Sequence, residues 1–168
     1  MGGKWQGYIG VVPTAYRFLA FAIATAQILL FPQPITLIPP LILVTSVGIY
    51  TLLKALHPFR WYQAGILGYS LLGVDIAVCI FLVMSTGGLY SPFLLYTLAP
   101  VLTAALLLDG KVTSCIGGLT VVYVIGSHLV NPFFATRLSL SELSYFLVYM
   151  IAVCLAAALP YLINVNLR

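Results

Sequence analysis

Six apolar runs, each close to the ~20 residues that a helix needs to cross a bilayer, take up most of this 168-residue chain. They fall at 14–31, 35–53, 64–84, 92–108, 112–130 and 143–163, joined by short connections. With 62% hydrophobic and 6% charged residues, the chain has too little polar surface to clothe a water-facing globule. The pattern predicts an all-α polytopic membrane protein. It forms one domain over 1–168, an antiparallel bundle of six transmembrane helices whose solvent is the lipid bilayer.

Seven basic residues against three acidic ones give a pI near 9.1. The basic residues are scattered singly, with no run or face, so nucleic acid is not an expected partner. With the N-terminus inside, Lys4, Arg17, Lys54, Arg60, Lys111 and Arg168 fall on the cytoplasmic side, and only Arg137 falls outside. That distribution follows the positive-inside bias and predicts two cytoplasmic termini. Cys79, Cys115 and Cys154 lie within the runs at no metal-ligand spacing and read as small packing residues. The first run continues to Phe31 without small-residue cleavage flanks, so it reads as a retained helix rather than a signal peptide.

Several residues shape the helices. Ala22 and Ala26 give the first helix a small-residue face for close contact, Gly117 and Gly118 thin the fifth, and Ala152 and Ala156 offer the sixth a homodimer contact. Pro39 and Pro40 suit the first turn of helix two, where missing N–H groups matter little. Pro100 lies inside the fourth run and predicts a kink there.

One stretch is not explained by lipid alone. Residues 87–93 read Gly87-Gly88-Leu89-Tyr90-Ser91-Pro92-Phe93, a helix-breaking turn on the outer side in which the glycines allow close backbone approach and Pro92 restarts a helix. Tyr96 follows one turn later. His128, near the outer end of helix five, is expected at the same level by its ~1.5 Å rise per residue, as are Gln27, Thr86, Asn131 and Phe133. An apolar cleft with a few hydrogen-bonding groups at the headgroup boundary suits a quinone or a lipid headgroup. An aromatic interface belt would have the same composition without any ligand. Asp75 lies midway along helix three, where a carboxylate costs ~2.5–3.5 kcal/mol on insertion scales. It must face the bundle interior, either as a proton relay or ligand contact, or as an acid bonded to Thr103, Thr120 or Tyr149. No nucleophile–base pair, carboxylate pair, Cys/His metal set or phosphate loop can be assembled, so no catalytic residue and no metal site is assigned.

The mid-helix Gly73-Val74-Asp75, the turn at 87–93 and the following 94–108 with Ala99-Pro100 resemble the six-helix membrane sensor domain of bacterial histidine kinases. The likeness is to the redox-responsive, quinone-sensing group, whose turn between helices three and four reads Gly-Gly-x-x-Asn-Pro-Phe. Ser91 stands here in place of that asparagine. The resemblance implies a bacterial inner-membrane protein whose turn residues contact ubiquinone or menaquinone. It also implies that helix six signals to a cytoplasmic kinase part beyond Arg168, and a histidine kinase only if that part follows. Two other readings fit the same composition. One is an accessory subunit of a respiratory or photosynthetic complex binding lipid, quinone or pigment, and the other is the substrate-binding component of a vitamin transporter. The expected assembly is a homodimer or a larger membrane complex.

Overall fold

The computed structural model describes residues 3–30, 37–56, 65–130 and 140–166, with side chains over 11–30, 37–56, 65–130 and 143–162. His57, Asn131, Phe133 and the side chains of Lys4, Arg60, Arg137 and Arg168 fall outside these ranges. The described residues form six α-helices and no strand: α1 (Gly3–Leu30), α2 (Pro40–Leu56), α3 (Ile66–Ser85), α4 (Leu98–Leu107), α5 (Gly110–Val130) and α6 (Leu140–Asn166). Two short 3-10 turns, Gly88–Tyr90 and Leu95–Thr97, lie between α3 and α4.

Neighbouring helices run antiparallel, as pairs of contacts along them show. Arg17 and Lys54 meet at Asp75, and further along α1 the Phe21 ring packs on Gly48 of α2. Lys54 bonds the Leu71 carbonyl of α3, while Leu37, just before α2, bonds Ser85 at the far end of α3. Gly110 at the start of α5 abuts Tyr161 near the end of α6. Four stretches, Val11–Leu30, Ile66–Ser85, Gly110–Val130 and Leu143–Leu162, are long and apolar enough to cross a membrane. Apolar side chains such as Leu41 and Ile49 of α2 and Val148, Ile151 and Leu155 of α6 point outward, as they must when the surrounding solvent is hydrocarbon.

The centre of the bundle is α4, and here the sequence reading needs correcting. The run at 92–108 is not one helix with a kink at Pro100. The α-helix starts only at Leu98, so Pro100 occupies its first turn, where a missing N–H breaks no ladder bond. Residues 91–97 are irregular backbone inside the bundle, which is tolerated at membrane depth only where protein shields it and its polar groups are bonded. Both conditions hold: Leu94 N–H bonds the Ser91 carbonyl, Thr97 N–H the Phe93 and Leu94 carbonyls, and the Thr97 hydroxyl the Leu94 carbonyl. Ala99, Val101, Ala104 and Ala105 of α4 are buried, and their small size lets α1, α5 and α6 close around it.

Other boundaries move as well. Helix two begins at Pro40 rather than 35, and helix one reaches back to Gly3 with Pro13 inside it. On α1 the core-facing small residues are Ala20 and Ala24, whereas Ala22 and Ala26 face outward. Ala152 and Ala156 pack against the core of their own chain.

Candidate functional site

Two arrangements stand out, and a short segment links them. The first is the α3–α4 turn. Helix α3 ends at Ser85, Thr86 caps it, and Gly87 follows in the left-handed region at φ 107°, the common way to release a helix C-terminus. Gly88 is also left-handed, at φ 64°, and a Cβ placed on it would fall 2.9 Å from the His128 Cα. The glycine is therefore needed because the α5 backbone passes directly against it. Ser91 then closes the turn: its hydroxyl accepts the Phe93 N–H at 3.1 Å and bonds Thr86, a local side-chain-to-backbone bond of the kind serine makes in turns.

The turn itself is tightly packed. Gly87, Gly88, Leu89, Ser91, Pro92 and Phe93 are buried, and Tyr90 and Ser91 N–H groups are bonded to the Gly87 and Gly88 carbonyls. Of the turn residues only Tyr90 reaches the outside, 44% exposed. Its ring sits edge-on to His128 and to Tyr145 of α6, with centroids 6.1 Å away in each case. His128 is itself buried and lies level with the turn. Gln27 points outward on α1, away from the core.

The second arrangement is a charge cluster centred on Asp75, only 2% exposed. Arg17 Nη2 of α1 lies 3.0 Å from Asp75 Oδ2, and Lys54 Nζ of α2 lies 3.1 Å from Oδ1. The Tyr50 hydroxyl donates to the same Oδ1, and Lys54 also bonds the Leu71 carbonyl at 3.2 Å. The side chains named as possible partners for Asp75 are engaged elsewhere. Thr103 and Thr120 bond carbonyls of their own helices, and Tyr149 bonds Thr97. Arg17 and Lys54, counted above among the cytoplasmic-side cations, are both buried. The physical reason is that a mid-membrane carboxylate needs a counter-charge, and Lys54 can bend its stem inward from near the end of α2. The cluster thus carries two formal cations on one carboxylate. Tyr50, Thr51 and Lys54 share one face of α2 by their spacing, a signal visible in the sequence once Asp75 is taken as the focus.

The link is the Leu95–Thr97 turn. Tyr16 of α1 donates to the Leu95 carbonyl at 2.8 Å, and Tyr96 bonds Thr51 of α2 at 2.9 Å beside the charge cluster. Thr97 bonds Tyr149 of α6 at 2.5 Å. Three helices are therefore tied to the three residues of this turn. Among the described residues no three of His, Cys, Asp and Glu converge as a metal set would require. Compared with known proteins, the chain matches no protein-family model, no curated protein and no solved structure.

Proposed function

We propose that this chain is the membrane-embedded sensory domain of a quinone-responsive signalling protein in a bacterial inner membrane. In this reading it has six spans and two cytoplasmic ends. Setting aside the buried Arg17 and Lys54, the remaining basic residues still divide as Lys4, Arg60, Lys111 and Arg168 inside against Arg137 outside, which favours that orientation. The observation that carries the proposal is the tethering of the Leu95–Thr97 turn to α1, α2 and α6. A disturbance of the outer bend cannot stay local, because the Thr97–Tyr149 bond passes it to α6, the helix that would lead to a cytoplasmic kinase part.

The packed bend shifts the ligand contact from the glycine backbone to the aromatic edge. A ubiquinone or menaquinone ring would lie on Tyr90 and Tyr145, with His128 behind Tyr90. Ring-on-ring contacts of this kind contribute about 0.5–1.5 kcal/mol each beyond area burial. The test is a photoreactive short-chain quinone of each type, added to the chain in lipid nanodiscs and mapped by peptide mass spectrometry. Labelling concentrated on the 86–96 and 143–149 peptides, and lost in Tyr90→Ala/Tyr145→Ala, is expected. Labels spread evenly over the lipid-facing surface would remove the assignment. Tyr149→Phe should keep the labelling but abolish any quinone-dependent change at a spin label on α6, since only the tether to Thr97 is cut.

A second reading is favoured by α6, of whose spanning window 11% is buried within the chain. An accessory subunit of a larger membrane complex would set that apolar side against a neighbour. Stable co-purification with a respiratory or photosynthetic assembly would support it, and a clean isolated chain in mild detergent would count against it.

A further inference from the structure

At the end of the bundle opposite the α3–α4 turn, two grooves diverge from a common residue. The larger, about 1360 Å³, runs between α5 and α6 over Gly117, Gly118, Val153, Cys154 and Ala157. The smaller, about 370 Å³, runs between α3 and α5 over Leu72, Gly73, Ile76, Cys115 and Ile116. Lys111, in the first turn of α5, lines both. Their walls are apolar and the opening is charged. Lys111 and Asp109 are both exposed at the mouth, and neither is ion-paired among the described residues. The first ladder bond of α5 joins Thr113 N–H to the Asp109 carbonyl. The amides of Gly110, Lys111 and Val112 therefore precede the ladder and add the positive end of a helix to that of Lys111.

We propose that this end of α5 binds one diacyl phospholipid carrying a primary ammonium, a phosphatidylethanolamine, from the leaflet around the α4–α5 connection. Its phosphate sits on Lys111 and the α5 N-terminus, and its ammonium on Asp109. Its two acyl chains straddle α5, one in each groove. A single-chain amphiphile would fill one groove and leave the other open, and a partner helix would leave opposite charges at the mouth without partners. The paired charges select a zwitterion over an anionic headgroup, and the N–H donors of a primary ammonium select it over a trimethylated one. The inference does not rest on the quinone reading, which concerns the other end of the bundle.

The experiment is native mass spectrometry of the full chain released from vesicles holding equal parts phosphatidylethanolamine, phosphatidylglycerol, phosphatidylcholine and lyso-phosphatidylethanolamine. One diacyl phosphatidylethanolamine should be retained several-fold above each of the others. Lys111→Ala should reduce all phospholipid adducts. Asp109→Asn should erase the preference over phosphatidylglycerol, and both substitutions lie at exposed positions that leave the core alone. A Cβ on Gly73 or on Gly118 would meet nothing within 4 Å, and the two glycines line one groove each, so Gly73→Leu and Gly118→Leu project into one groove each. Each should bring diacyl retention down to the lyso-lipid level. Equal retention of all four lipids, a preference for phosphatidylglycerol, or adducts indifferent to both leucines would overturn the proposal.

Discussion

Asparagine in place of Asp75 will destabilise the bundle by about 3–5 kcal/mol, because it strands two buried cations without their counter-charge. Unfolding by a denaturing detergent, followed by circular dichroism, measures the loss. The partners should not contribute equally. Lys54 lies two residues before the end of α2 and can straighten toward the headgroups, whereas Arg17 lies well inside the window Val11–Leu30. Adding Arg17→Met to Asp75→Asn should therefore recover more stability than adding Lys54→Met. Replacing the whole set, Arg17→Met with Lys54→Met and Asp75→Leu, should bring stability back to the starting value or above it, as apolar substitutes for buried ion pairs often do. An Asp75→Asn chain that unfolds like the original would show that the cluster holds nothing together.

The second large effect is expected at Gly88. Alanine there meets two penalties: about 1–2 kcal/mol for a left-handed backbone, and about 1–3 kcal/mol for forcing a methyl against the α5 main chain. The obstruction is the His128 Cα itself, 2.9 Å away, so no side-chain rotation can relieve it. Amide exchange should localise the Gly88→Ala damage to the turn and the end of α5. A Gly88→Ala chain as stable as the original would mean that the close approach is unimportant.

The helical, membrane-compatible character of this chain was legible because hydrophobicity alone decides it. Boundaries were less legible where a proline could sit either inside a helix or at its start. Pro40 sits in the first turn of its helix as read, whereas Pro100, read as an interior kink, also lies in a first turn. The turn at 87–93 could be located from its glycines and proline, but its packing could not, because the neighbour that needs Gly88 small is 40 residues away on α5. Asp75 was recognisable as a residue requiring a partner. Its partners were missed because Arg17 and Lys54 satisfy the positive-inside pattern just as readily as they satisfy a carboxylate. A charge count along the chain cannot distinguish these roles; only the meeting of α1, α2 and α3 at one depth does.

The shortness of α4 bears on how such a chain enters a membrane at all. Ten residues rise about 15 Å, half the thickness of the hydrocarbon, and the segment before them carries peptide groups that oil would not tolerate. Insertion machinery that tests segments one at a time has little reason to release this one sideways. On the proposed six-span reading, α4 completes its burial only when α5 and α6 pack on it, so the C-terminal half would enter the membrane as one unit.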